Sequence, residues 1–421
     1  MITRAQQTLL LILLPALNHS PSLFADTPWR SFRGDGNGRA DAADVAVEWS
    51  ENSNVRWKTA IPGKGWSSPV VWGQQIWLTT ASEDGMKMYA ICINRDTGKI
   101  EHNLLVFENP EPRFCHPTNS YASPTPTIED GRVYVHFGSY GTACLDTTSG
   151  KVIWQRRDFE CNHWRGPGAS PIISEGRLFV PFDGYDHQFV VALDTTDGST
   201  IWRKDRNIDY GSDNGDHKKA YCTCSLMEHN GRVELISPSA AEVVSYDPAS
   251  GDEYWRVRYG GMNSATRPLI ANGLVYVTNG DSTGKIKPSL VAIRPGGNGN
   301  VTESHVAWNL QKGVTKRPSP LVIDDLLFLI GDDGVATCVE ANTGEVIWRK
   351  RIGGSFRSSP VYAQGRIYCF DLDGACTVFE AGREFKQIAT NELDHGCQAS
   401  PAISGNDLFV RTTQHLYCIE P

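Results

Sequence analysis

The chain has 421 residues, with 40 basic and 48 acidic side chains, a net charge of −8 and no Lys/Arg-rich run. It is long enough to bury a large core. Without a clustered basic surface to displace counterions from phosphates, a nucleic-acid binder is excluded, and so is a polybasic membrane surface.

The first 25 residues read as a secretory leader: Arg4, the apolar run "LLLILLPAL" (9–17) and a small residue, Ala25, at the cleavage position. The run is too short to span a bilayer. The first cysteine is Cys92, so no lipidation site follows the leader. The mature protein is therefore expected to be periplasmic or secreted, with no transmembrane segment, and monomeric. Residues 26–50 form an N-terminal arm. Its "DGNGRADAAD" (35–44) begins like a calcium loop but lacks the sixth-position glycine and the terminal glutamate, and is expected to be a turn.

Residues 51–62 contain "NVRWKTAI", which has the pattern of a closing strand with nothing before it to close. From there on one unit recurs. A Ser-Pro or similar pair opens it at Pro69, Pro124, Pro171, Pro268, Pro320, Pro360 and Pro401, with "CSLM" near Leu226 as a degenerate copy. A Gly turn and an alternating apolar strand follow, as in "GRVYVHF" and "GRLFVPF". A third strand ends in Asp or Glu at a Thr-Gly or Ser-Gly turn, and a fourth carries Trp, as in "VALDTTDGSTIW". Openings about 40 to 55 residues apart match a four-stranded propeller blade. The count is eight, and the last unit stops after three strands at Pro421. An unpaired sheet edge is a hazard. The fold predicted is thus an all-β, eight-bladed propeller over 51–421, with residues 51–62 supplying the fourth strand of blade eight.

Cys92, Cys144, Cys338 and Cys418 share one third-strand register with Ala192, Ser245, Ala292 and Val378, a column of small packing residues. Cys369 and Cys376 flank a hairpin turn and could pair, as could Cys115 and Cys161. Nucleophile-elbow, phosphate-loop and zinc-protease motifs are missing from the sequence.

Aligned this way, the chain resembles the pyrroloquinoline-quinone (PQQ) repeat family, in which A-x-D-x-x-x-G-x-x-x-W makes tryptophan-docking contacts between blades. Trp57, Trp154, Trp202, Trp255, Trp308 and Trp348 fit the Trp position; His102 and Lys386 depart from it. "WRSFRGDGNG" and "HPTNSYASPTP" resemble exported bacterial members of that family. The resemblance implies either a scaffold for a protein partner or a quinoprotein oxidoreductase holding PQQ and calcium. For the latter no calcium-ligand set, catalytic Asp or adjacent-cysteine pair is recognisable, "CTC" (222–224) being the nearest approach. The leading reading is a ligand-binding or protein-interaction module. The alternative is a PQQ-dependent dehydrogenase of alcohols or sugars.

In such blades the loop into the first strand and the loop between the second and third strands ring one mouth of the channel. Those loops place His116, Asn119, His163, Arg165, Asp183, His187, Arg267, Arg317 and Arg357 as candidates for a pocket taking a small polar or anionic ligand. Arginine forks suit carboxylate, phosphate or quinone oxygens. The same arginines could instead brace loops, and the histidines and cysteines could simply pack. No tight spacing supports a metal site.

Overall fold

The structure, a computed structural model, describes residues 27–280 and 288–421. The leader falls outside the described residues, as do residues 281–283 of the loop "NGDST". Eight antiparallel sheets are arranged as the blades of a propeller. Blade 1 shows the plan: Val70–Trp72, Gln75–Ala81, Lys87–Asn94 and Ile100–Glu108 follow one another outward. The second and third strands are buried on both faces, because successive side chains enter the two neighbouring interblade cores, while the fourth alternates between exposed and half-buried.

Ring closure is as the sequence implied. Val55–Ala60 lies antiparallel to His415–Ile419, with Trp57 opposite Cys418, and completes blade 8. Arg56 secures the seam through bonds to both Asp407 oxygens (2.7 and 3.1 Å) and to Glu420 (2.7 Å).

The small-residue column is real. Each member faces the fourth-strand docking position, and the register slips by one residue there in all eight sheets. Such a bulge bends and twists the strand. It tips the tryptophan toward the next blade, where the indole N–H donates to a turn carbonyl: Trp57 to Arg95 (2.8 Å), Trp154 to Thr195 (3.0 Å), Trp202 to Pro248 (3.0 Å), Trp308 to Ala341 (3.1 Å) and Trp348 to Gly382 (3.0 Å). The glycine of the turn is required by contact as well as by conformation. At Gly98, φ is +69° and an added Cβ would stand 2.6 Å from Trp57 Cδ2. Trp255 departs: blade 5 lacks the turn, and the indole bonds Glu234 within its own blade (2.7 Å). There Gly299–Asn300 adds a parallel strand along the blade 4 edge instead.

Three expectations are corrected. Ala389, not Lys386, faces Val378 in blade 7. The second opening is Pro126, not Pro124: the first strand begins at Thr127, and Thr125 holds the place that Ser68 holds in blade 1. All eleven thiols are free. Cys369 faces Thr377 while Cys376 faces Phe370, so the two thiols point to opposite sides of the sheet and enter different cores. Cys161 is buried beside Phe182, and Cys115 points instead to the Arg165 carbonyl (3.7 Å).

The N-terminal arm fills the lower mouth of the channel. Trp29 exchanges two 2.9 Å backbone bonds with Val71 of blade 1, and Arg30 O accepts from Ile128 of blade 2. Buried Arg33 donates to Ser319 O (2.7 Å) and Pro320 O (2.8 Å) of blade 6. Arg39–Ala40 runs parallel to Tyr362–Ala363 of blade 7, and Trp49 then stacks on Tyr368 and Phe370. The arm thus crosses the axis before reaching blade 8.

Candidate functional site

The upper mouth is a cup of about 230 Å³. Its floor is built by the residue before each opening proline. Ser68 N donates to Thr125 Oγ1 (2.9 Å), Thr125 N to Ser170 Oγ (2.9 Å) and Ser170 N to Thr223 Oγ1 (2.9 Å). On the other side Arg267 N donates to Ser319 Oγ (3.0 Å), Ser319 N to Ser359 Oγ (2.9 Å), Ser359 N to Ser400 Oγ (2.9 Å) and Ser400 N back to Ser68 Oγ (3.0 Å). This ring of bonds joins all eight blades and opens only between Thr223 and Arg267. Each hydroxyl oxygen accepts one N–H, and among the described residues no protein acceptor takes its own proton. Ser68, Thr125, Ser170, Thr223, Ser359 and Ser400 line the cup, so their O–H groups are donors left for a ligand or solvent.

The walls are cationic. Arg165, Lys316, Arg317 and Arg357 line the cup, and the described lining includes neither Asp nor Glu. Arg317 is tied to Asp332 at the rim (2.5 Å). Arg357 donates to Gln398 Oε1 (2.8 Å) and to Thr118 O (3.2 Å), and burial together with Arg317 pulls its pKa down. Arg165 Nε and Trp66 Nε1 are buried donors with no partner among the described residues. His116 Nδ1 accepts from Thr118 N (3.2 Å). Burial, then Arg165, Arg357, Arg317 and Lys219, lower its pKa, so at neutral pH the ring carries its one proton on Nε2. Four cations, one of them paired with Asp332, converge with idle donors on one cup in a chain whose net charge is −8.

Of the nine residues singled out from sequence, His116, Asn119, Arg165, Arg317 and Arg357 lie together here. Asn119 serves the wall, donating to Arg165 O (2.8 Å) and Pro167 O (3.1 Å). The other four lie elsewhere. Asp183 is buried in a bidentate pair with Arg206 (2.7 and 3.1 Å) and accepts from Ser239. His163 is buried against Phe182 and accepts from Ser139 N (3.1 Å). His187 is exposed on the loop after Asp183.

Arg267 points down, to Phe32 O (2.5 Å) and Ser225 Oγ (3.1 Å), and holds the arm below the floor. Gly36 makes that approach possible: at φ +100°, a Cβ would meet Arg267 Cζ at 2.7 Å. Phe32, set by this contact, becomes part of the cup.

Sequence reasoning passed over the hydroxyl floor, although its signal was the Ser or Thr preceding nearly every opening proline. Trp66, Lys316 and Gln398 carried no repeat signal.

Comparison with known proteins places the chain. A family model described as "Outer membrane protein assembly factor BamB" matches residues 38–158, 110–239, 186–294 and 289–421. The BamB of Moranella endobia (strain PCIT) is 23% identical over 222 residues, 48% of this chain, and the match spans only 52% of that relative's length. Among solved structures, BamB from Moraxella catarrhalis superposes with a TM-score of 0.61 at 13% identity, covering 86% of this chain and 99% of that one. The quinohemoprotein alcohol dehydrogenase of Comamonas testosteroni gives 0.63 at 11% identity over 93% of this chain and 80% of its own. A europium-containing methanol dehydrogenase gives 0.62 at 11% over 92% and 90%. These likenesses concern the fold alone.

Proposed function

The chain belongs to the PQQ-like repeat family whose model is described as outer membrane protein assembly factor BamB, and we propose that it is a binding module whose cup holds the anionic group of a ligand or partner. The observation that carries this is the cup itself: four cations, a floor of hydroxyl donors and no carboxylate among the described lining residues. Anions are recognised by such desolvated, convergent donors. The reading includes export, which rests on the leader pattern of residues 1–25. Among the described residues, no helix is long and apolar enough to cross a membrane.

The oxidoreductase alternative requires calcium beside the quinone. Calcium takes several oxygen ligands, carboxylates foremost, and the described lining offers arginine and lysine where those carboxylates would be needed. Cys222 and Cys224 are buried and separated by Thr223, with Cys224 bonded to Ser237 (3.1 Å). The residues present do not fit a calcium-bound quinone.

Calorimetric titration with citrate tests the reading. Binding is expected, weakened at least tenfold in Arg357→Ala and in Arg165→Ala and reduced by added salt. Equal heats from citrate and an uncharged polyol would refute it. Dye reduction by protein loaded with PQQ and calcium, given alcohols or aldoses, would install the alternative.

A further inference from the structure

Beside the cup stands a row of exposed aromatic rings that the anion site does not use. Phe114, Trp164 and Tyr185 are 57%, 46% and 39% exposed, far more than the other aromatic side chains of the interblade cores. Their centroids are 6.1 Å (Phe114 to Trp164) and 5.6 Å (Trp164 to Tyr185) apart, so they form one continuous strip. The strip begins at the cup: the Phe114 ring meets His116 edge-on at 6.5 Å, and Trp164 directly precedes Arg165. His116 and Arg165 both line the cup.

The strip is held in place. Trp164 sits at φ +56°, a left-handed conformation that a bulky residue seldom adopts. Its loop is pinned by Trp164 N to Asn162 Oδ1 (2.9 Å), Tyr185 N to Asn162 O (2.7 Å) and Asn162 N to Asp186 Oδ1 (2.7 Å). A bulky residue in a left-handed conformation, fixed by its surroundings and with nearly half its surface in solvent, marks a place of use.

We propose that cup and strip form one binding surface for an acidic oligosaccharide, with a terminal uronate carboxylate in the cup and the following sugar rings stacked along Trp164 and Tyr185. This rests on the anion-binding reading above and names its ligand class. Trp164 and Tyr185, 5.6 Å apart and tilted by 35°, stand at a spacing comparable to one pyranose with its linkage, so two neighbouring sugars can each meet a ring. The cup is the size of a single sugar, not of a folded partner. Its floor hydroxyls of Ser68, Thr125, Ser170 and Ser400, together with the Gln398 amide, are of the kind that bond sugar hydroxyls. A protein partner would favour aromatic anchors set in desolvated pockets, whereas these rings form an open strip with polar neighbours.

The test is calorimetry on the full chain with four probes: galacturonic acid, tetragalacturonate, an uncharged galactose tetrasaccharide, and an acidic tetrapeptide of equal charge. Tetragalacturonate is expected to bind at least tenfold more tightly than galacturonic acid, about 1.4 kcal/mol. Trp164→Ala and Tyr185→Ala should remove that gain while leaving monomer affinity unchanged. Arg357→Ala should weaken both acidic sugars. If galacturonic acid binds but the tetramer gains nothing, or the gain survives Trp164→Ala, the saccharide proposal is overturned and the anion site stands. If the peptide outcompetes tetragalacturonate through Trp164, the occupant is a protein and the proposal is likewise overturned. If neither galacturonic acid nor citrate binds, the anion-binding reading itself has failed.

Discussion

Replacing Trp57 by alanine should open the ring at its seam. In the native seam the indole donates to Arg95 O at 2.8 Å, lies against Gly98 and contacts Phe409 at 6.1 Å between centroids. Losing the hydrogen bond costs about 1 kcal/mol. Truncating a core tryptophan costs about 3–5 kcal/mol in total, and Trp57 is only partly buried, which puts the loss near 3 kcal/mol. Trp308 is the internal control, because it makes the same contacts within the continuous chain: Nε1 to Ala341 O at 3.1 Å, with its ring against Gly344. Urea unfolding of Trp57→Ala and Trp308→Ala should show losses of similar size. The seam variant should also unfold faster, since it frees a strand at a chain end. If Trp57→Ala matches the wild type while Trp308→Ala is destabilised, the strand at Val55–Ala60 does not close the propeller.

Gly98→Ala should cost at least about 2 kcal/mol, from its left-handed φ and its collision with Trp57. Combined with Trp57→Ala the losses should be less than additive in urea unfolding, because the collision is gone. Burial holds His163 at a pKa of about 4 and His136 at about 3, against about 6.5 in an unfolded chain. As the pH falls below about 6.5 the unfolded state takes up protons first. Stability present above that pH is therefore lost towards pH 4, by about 3 kcal/mol for His163, and His163→Gln should flatten the unfolding profile across that window. Arg267→Met removes the donors to Phe32 O and Ser31 Oγ, so limited proteolysis should cut the arm between residues 30 and 40 at least several-fold faster. Affinity for sulfate, which keeps its charge in this range, should rise as the pH drops through the lowered pKa of His116, since protonation adds a cation to the cup, and His116→Gln should abolish that rise.

The fold was legible because it repeats. Trp57 and Cys418, 361 positions apart in the sequence, could be matched by pattern alone, since five other blades pair a fourth-strand Trp with a small third-strand residue within one hairpin. Boundaries failed where two patterns overlapped. "SPTP" offers two openings, and only the strand beginning at Thr127 decides for Pro126. The site was half legible. Register put Arg317 and Arg357 at one rim, but register says nothing about which way a side chain turns. Arg267, two register positions further along in the floor column, turns down, because the arm supplies a carbonyl acceptor below the floor. Asp183 was drawn away by Arg206, a partner 23 residues on whose approach depends on tertiary structure.

The departures from the repeat account for the cup better than the repeat does. Seven openings place a hydroxyl before the proline position, and a complete ring of eight would be a symmetric, open channel. At the fifth position Arg267 stands in its place, and its longer side chain reaches through to Phe32 O and Ser31 Oγ. Arg267 therefore interrupts the hydroxyl ring and, with Trp29 and Arg33, holds the arm beneath it, so that Phe32 lies at the base of the cup. The guanidinium that does this is itself buried and cationic, so the floor adds to the positive field of the walls rather than cancelling it. Strength in the scaffold comes from one docking contact repeated in five of the eight blades. A binding site needs one end and one side different from the rest, and in this chain the irregular blades 2 to 5, with their Arg165, Trp164 and Arg267, supply that difference.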